Sequence, residues 1–224
     1  TNYGKAKKKA DELGVPKAYA DYKQLLADPE IESVHICTPN NLHYLIAKEA
    51  LLAGKHVICE KPLALEMEQC DELIDLGKKM NKVCAVNFNM RAYPIVQQVR
   101  DMIANGDLGE IFSVNGSYTQ DWMLLDTDYS WRVEPEYTGC TRTVADIGSH
   151  WFDMIEYICG QKVNSVCADF GTFYKVRKRP LKPVETYSGK LLQPGDYEEI
   201  PINTEDYSTV LFRMGENIHG SCTT

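Results

Sequence analysis

The chain has 224 residues, enough for one large domain or two modest ones, and its 44% hydrophobic and 25% charged residues can build an ordinary globular core. A formal net charge of −8 argues against wholesale binding to nucleic acid or anionic lipid. No apolar run reaches the ~18 residues that a membrane helix needs.

In chain order, residues 1–13 read as a helix with no strand before it. Ser33 to Cys37 is a β-branched, apolar run that ends at the Thr38-Pro39 turn, which predicts a strand. Leu42, Leu45, Ile46, Ala50 and Ala53 then keep helical spacing until Gly54. His56 to Cys59 is the next strand, a helix follows with Cys70, Leu73, Ile74 and Met80 on one face, and Val83 to Phe88 is a third strand. A further helix carries Ile95, Val96, Val99, Met102 and Ile103 inward and closes at Asn105-Gly106. Strand and helix alternating at this pitch predict right-handed βαβ units on a parallel sheet.

The texture changes near Met90, where a domain boundary is placed, giving domains at 1–90 and 91–224. Ile111 to Trp122 predicts one long strand and Met123 to Val144 an irregular, aromatic-rich stretch. Asp146 to Cys159 predicts a helix ended by Gly160. Strands are expected at Ser165–Val176, Tyr207–Met214 and Ile218–Cys222, the last two joined around Gly215-Glu216-Asn217. The basic run Lys175, Arg177, Lys178, Arg179 and Lys182, with Pro180 and Pro183, reads as a solvated loop, the other reading being a site for a phosphate-bearing substrate or partner. The fold class expected from this pattern is an α/β domain on a parallel sheet followed by an α+β domain on a largely antiparallel open sheet, incomplete at its C-terminal end.

Three predicted strands end in polar clusters: Thr38-Pro39-Asn40 with His43 one turn on, Glu60-Lys61-Pro62, and Asn87 with Asn89 and Arg91. In an open parallel sheet, ligands bind beyond the carboxyl ends of the strands. Turn residues are polar in any case, so the first and third clusters have a plain structural reading. A Glu-Lys pair directly after a buried strand is less easily explained by structure alone.

The segment Asp146-Ile147-Gly148-Ser149-His150-Trp151-Phe152-Asp153 puts Asp146 and His150 four apart, on one helix face, with Asp153 three beyond His150. A carboxylate beside an imidazole fixes its tautomer and supports its protonated form. The other reading makes Asp146 a helix cap and His150 a satisfied core residue. Tyr118, Trp122, Tyr129, Trp131 and Tyr137 suit stacking on a sugar as well as packing within a second domain or a subunit interface.

The eight cysteines form no C-x-x-C pair, and neither they nor the five histidines have zinc-ligand spacing, so no metal is expected. Several cysteines sit inside apolar runs such as Val57-Ile58-Cys59, which reads as free thiols in a reducing, cytoplasmic setting.

Thr38-Pro39-Asn40-Asn41-Leu42-His43, then Gly54 to Pro62, then Asp146-Ile147-Gly148-Ser149-His150 together resemble the Gfo/Idh/MocA oxidoreductases, the family of glucose–fructose oxidoreductase and inositol dehydrogenase. The resemblance runs over essentially the whole chain and implies that residues 1–90 are a partial Rossmann-type dinucleotide-binding domain. It implies an NAD- or NADP-dependent dehydrogenase that moves a hydride between the cofactor and a CH–OH group of a sugar, inositol or related polyol. Lys61, Asp146 and His150 would be catalytic. Thr38, Pro39, Asn40, His43, Glu60, Lys61, Asn87, Trp131 and Arg132 would line the cofactor site, and Lys61, Asn89, Arg91, Arg132, Asp146 and His150 the substrate site. The resemblance further implies a cis Lys61–Pro62 bond and homodimers or homotetramers formed through the second-domain sheet. The family's Gly-rich phosphate loop has no counterpart here, since no G-x-G-x-x-G occurs, and a Thr138-Gly139-Cys140-Thr141 sequence replaces the glycine pair or triplet that often precedes the aspartate. The phosphate-loop end of the dinucleotide fold is therefore expected to lie outside these residues. Two rivals share the resemblance: an NAD-dependent glycoside hydrolase and a non-catalytic dinucleotide-binding sensor.

Overall fold

The computed structural model describes residues 2–182, 184 and 192–224, so Thr1 and Pro183 lie outside the described residues. The chain divides into two compact units, residues 1–38 with 42–87 and residues 39–41 with 88–224.

In the first unit, α1 (Tyr3–Leu13) starts where Asn2 Oδ1 accepts from Gly4 N at 2.8 Å. A short helix that periodicity did not foresee, α2 (Tyr22–Ala27), is nucleated by its cap: Asp21 Oδ1 accepts from the backbone of Lys23 at 2.6 Å and of Gln24 at 3.3 Å. The strands β1 (Ser33–Ile36), β2 (His56–Cys59) and β3 (Cys84–Val86) form a parallel sheet in the order β1-β2-β3. Parallel neighbours need crossovers, supplied by α3 (His43–Leu52) and α4 (Met67–Met80). Gly54 turns the chain from α3 into β2 at φ +75°, where a side chain would be strained. Ala47, Ala50, Leu51, Val57, Cys59 and Leu73 are fully buried between sheet and helices. Each large apolar side chain so buried contributes about 1.5–3 kcal/mol.

In the second unit, α5 (Pro94–Ala104) packs against a later helix. The strand β4 (Ser113–Ser117) is much shorter than the stretch 111–122 predicted. Pairing ends where Tyr118 N donates to Thr223 O at 3.0 Å, and residues 119–128 become a loop held by other partners. The short α6 (Pro135–Thr138) follows a 3-10 turn at Trp131–Val133. The predicted helix 146–159 resolves into a π-helical turn, Val144–Gly148, running into α7 (Ser149–Cys159), which ends at Gly160.

The single strand expected at 165–176 is two: β5 (Val163–Gly171) and β6 (Val176–Pro180). The break falls where Asp206 Oδ2 accepts from the backbone of Phe173 at 2.7 Å and of Tyr174 at 2.8 Å. The run 175–182 is not simply a solvated loop. Its β6 residues pair with β7 (Tyr197–Pro201), and Arg177 is only 1% exposed. The predicted hairpin forms as β8 (Tyr207–Met214) and β9 (Ile218–Thr223). The main sheet runs β4-β9-β8-β5, antiparallel except for the β4–β9 pair. Trp151, Ile155, Phe212, Met214, Ile218 and Cys222 make its core. A side chain at Gly220 would put its Cβ 2.2 Å from both Phe212 Cζ and Val114 O, so the crossing of β4 and β9 demands glycine. No helix among the described residues is long and apolar enough to cross a membrane.

Candidate active site

In the first unit, the carboxyl ends of the three parallel strands hold a row of polar groups. Asn87, just after β3, donates its amide Nδ2–H to Glu60 Oε1 at 2.7 Å, tying the ends of β2 and β3 together. His43 is 1% exposed, with Nε2 2.8 Å from Thr38 O and Nδ1 2.7 Å from Pro62 O. It braces the turn after β1 against the turn after β2, so its ring acts through these turns. The Lys61–Pro62 bond is cis, and Lys61 is half-buried directly after Glu60.

Thr38 Oγ1 is buried and has no hydrogen-bond partner among the described residues, although it sits one turn beyond β1. An orphaned hydroxyl at the carboxyl end of a parallel sheet fits a dinucleotide that brings its own polar groups. Asn40 is buried at the start of a 3-10 turn, Asn40–Leu42, and Pro39 is half-buried before it.

One grouping was not foreseen. His35 and Cys37 point the same way from β1 and, with Glu60, bring ligand atoms within 4.8 Å of one another. The alternation His35-x-Cys37 beside a strand followed by Glu60 was the available signal. Burial, and secondarily the Glu60 charge, pushes the Cys37 thiol up, which works against the thiolate that a metal requires.

In the second unit, Asp146 sits in the middle of the π-helical turn and is not a helix cap. Its carboxylate Oδ2 lies 3.3 Å from Arg132 Nε. π-Helical turns of this kind occur often at functional sites. Asp146 and Arg132 share a cavity of about 250 Å³ with Tyr118, Trp122, Arg142 and Tyr207. His150, in the first turn of α7, has two aromatic rings edge-on to it, Phe88 at 6.0 Å and Tyr118 at 6.3 Å. Tyr118 thus belongs both to the cavity wall and to the surroundings of His150. The Arg132 guanidinium stacks 4.6 Å above the Trp131 ring, which in turn meets Tyr137 edge-on at 6.5 Å.

Two candidates stand elsewhere. Arg91 forms a two-pronged pair with Asp153, Nε donating to Oδ2 at 2.7 Å and Nη2 to Oδ1, and lies 5.0 Å over the Tyr157 ring. This pairing engages the Asp153 carboxylate that the sequence set beside His150, because three residues along α7 bring it to the 3-10 turn Asn89–Ala92. The Asp153 hydrogen bonds also push the Arg91 guanidinium up. Asn89 is exposed on that same turn.

In the wall of the cavity lies a buried group that the sequence reading missed. Arg177 Nη1 donates to Leu125 O at 2.8 Å and Asp128 O at 3.1 Å, and Nη2 to Met123 O at 3.0 Å and Asp206 Oδ1 at 3.3 Å. Arg142 Nη2 donates to the same Asp206 oxygen, while burial lowers the pKa of the Arg142 guanidinium. The only signal in the sequence was the charged pair Glu205-Asp206 opening an apolar strand.

A three-stranded parallel α/β sheet joined to an α+β unit with a mostly antiparallel sheet defines a Rossmann-type, two-unit protein. Residues 1–88 match the family model described as an oxidoreductase family with an NAD-binding Rossmann fold, and residues 96–224 match the GFO/IDH/MocA C-terminal domain. The chain belongs to the Gfo/Idh/MocA family. It is 33% identical over 215 residues to levoglucosan dehydrogenase of Pseudarthrobacter phenanthrenivorans, covering 95% of this chain and 54% of that protein. It is 34% identical over 199 residues to an inositol 2-dehydrogenase/D-chiro-inositol 3-dehydrogenase of Lactiplantibacillus plantarum, covering 83% and 52%. A structure of levoglucosan dehydrogenase in complex with NADH and levoglucosan superposes with a TM-score of 0.85 at 32% identity, over 99% of this chain and 55% of the other. The chain therefore spans about half the length of the relatives it matches.

Proposed function

We propose that this chain is the catalytic part of an NAD(P)-dependent dehydrogenase acting on a CH–OH group of a sugar, inositol or related polyol. The observation that carries the proposal is the acid–base set: Lys61 behind a cis proline at the end of a parallel strand, and Asp146 with His150 around a π-helical turn beside a sugar-sized cavity. Residues 1–90 act as the cofactor-binding part and residues 91–224 as the substrate and oligomerisation domain.

The residues at the strand ends fit a dinucleotide. Thr38, Pro39, Asn40, Glu60 and Asn87 would hold it there, with Trp131 and Arg132 of the second unit completing its site and His43 bracing the turns. When bound, the nicotinamide supplies the hydride acceptor or donor. The His150 imidazole takes the proton of the substrate hydroxyl during oxidation and returns it during reduction. The Lys61 ammonium stabilises the developing negative charge on the carbinol oxygen in a site with little water. Asp146, held by Arg132, orients the substrate hydroxyls and His150. Asn89 and Arg91 complete the substrate surroundings, with Arg91 acting through Asp153 on the seat of α7. The reading of the eight free cysteines as thiols in a reducing compartment supports a cytoplasmic location. The sheet face that exposes Cys167 and Leu211 supports a homodimer or homotetramer, and sedimentation of the intact protein as a monomer would remove that part.

The test is a screen of levoglucosan, myo-inositol and other polyols with NAD and with NADP on the intact protein, followed by the absorbance of the reduced cofactor. Lys61→Met and His150→Gln are each expected to lower kcat by roughly 10²-fold or more without loss of fold. NADH binding with no turnover of any polyol or oxo-sugar would overturn the proposal in favour of a sensor. Cleavage of a chromogenic glycoside with no net NADH would overturn it in favour of a hydrolase.

A further inference from the structure

The Arg132–Asp146 pair has both of its halves anchored by one short segment at the entrance to β8. Thr204 Oγ1 donates to Val133 O at 3.4 Å, next to Arg132. Glu205, 5% exposed, reaches the other half. Its Oε1 accepts from the backbone N–H of Arg142 at 2.8 Å and of Val144 at 2.9 Å, and Oε2 accepts from Arg142 N at 2.9 Å. Its backbone carbonyl accepts from Thr143 Oγ1 at 2.9 Å. Arg142 O in turn accepts from Asp146 N at 2.8 Å, so a continuous chain of hydrogen bonds runs from the Glu205 carboxylate to the Asp146 backbone. The neighbouring Asp206 holds the Arg142 guanidinium, so Arg142 is fixed at its backbone and at its side-chain end by adjacent acids.

A helical run opens with backbone N–H groups that no turn of the helix can satisfy. In α1 and α2 that task falls to a residue just ahead of the helix, Asn2 and Asp21. Around the π-helical turn 144–148 it falls to a glutamate some sixty residues later, and no side chain of the turn's own flank caps it. A buried carboxylate in that place serves two ends: it matches the positive end of the helical dipoles, and it sets where the turn begins. Asp146 lies two residues past the second N–H that it holds.

Resting on the proposed dehydrogenase reading, we infer that Glu205 is a positioning residue of the reaction: it caps the π-helical turn from a distance and thereby sets Asp146 against Arg132 and the substrate. It touches neither substrate nor cofactor.

The test compares Glu205→Ala and Glu205→Gln with the wild type in the intact protein, using NAD with levoglucosan and with myo-inositol as probes. Glu205→Ala removes both acceptors, and kcat should fall by roughly thirtyfold or more, since a misplacement of about 1 Å in a catalytic group can cost ~10²-fold. The KM for NAD should stay within about twofold of the wild-type value, because the cap is built within the second unit, from residues 142–144 and 205. Glu205→Gln keeps the Oε1 contacts and should recover part of the rate, ending roughly three- to tenfold below wild type. Should Glu205→Ala not fold, Glu205→Gln decides alone. A folded variant with wild-type kcat, or a loss confined to thermal stability, would overturn the inference while leaving the dehydrogenase reading intact. Amide hydrogen exchange over residues 142–146 is read on the same proteins. Faster exchange in the variants, with a wild type that turns over no polyol or oxo-sugar with NAD or NADP, would keep the cap and sink the dehydrogenase reading. Unchanged exchange would sink the cap whatever the activity.

Discussion

Replacing Arg177 by methionine removes a buried guanidinium and keeps much of its stem volume. Four hydrogen bonds disappear, three of them to carbonyls of the loop that walls the cavity, at Met123, Leu125 and Asp128, and with them the stacking on Tyr174 at 4.6 Å. Breaking a buried ion pair from one side costs about 3–5 kcal/mol when the partner is stranded. Asp206 is not stranded, because Arg142 and the Phe173 and Tyr174 N–H groups remain on its carboxylate. Leu125 is exposed and Met123 half-buried, so their carbonyls can regain water, whereas Asp128 is buried and its carbonyl cannot do so readily. Charged hydrogen bonds are worth about 1.5–3 kcal/mol each before such compensation, and the sum comes to about 2–4 kcal/mol. Guanidinium chloride unfolding of the intact protein, analysed by linear extrapolation with the m-value checked, measures it. The substrate KM should rise as the loop loosens. Arg177→Lys should recover less than half the stability, because a single ammonium cannot reach acceptors on both prongs of the fork. A destabilisation by Arg177→Met below ~1 kcal/mol would refute the view that this side chain organises the cavity wall.

Asp153→Asn should weaken the grip on Arg91 by about 1 kcal/mol, a figure kept low because the Arg91 side chain is 43% exposed. Its pH–rate midpoint should match the wild type; a shift would show that Asp153 does act on His150. Burial pushes the Cys59 thiol up to about 12 and the Cys222 thiol to about 11, well above the ~8.5 of a free thiol. Both should resist iodoacetamide in the native protein at neutral pH while exposed Cys140 is labelled, with mass spectrometry as the readout. Since the folded values lie above the unfolded one, the stability tied to these neutral thiols is complete below pH ~8.5 and declines as pH rises toward the folded values. Stability rising over that interval in the wild type relative to Cys59→Ala would contradict this.

Local chemistry, read along the chain, determined a good part of this protein. The αβ repeat of residues 33–88 was legible because apolar spacing and the stop at Gly54 depend on near neighbours only. The hairpin around Gly215 was legible for the same reason, and the cis bond before Pro62 followed from the resemblance carried by Glu60-Lys61-Pro62. The residues proposed for chemistry, Lys61, Asp146 and His150, were singled out by type, order and the resemblance. What surrounds them was decided by the tertiary structure. Nothing near Asp146 in sequence announces that Arg132 pairs with it or that Glu205 caps its turn, since the capping contacts span more than sixty residues. Asp153 had the right spacing to serve His150, yet Arg91, sixty-two residues earlier, took its carboxylate. The run 175–182 has the composition of a solvated loop, and only the meeting of β6 with β7 and with the loop 123–128 buries Arg177. Spacing reports which side chains share a face of their own element. Which distant donor and acceptor satisfy each other once water is excluded is fixed only when the elements pack, because a buried polar group must find its partner wherever the fold supplies one.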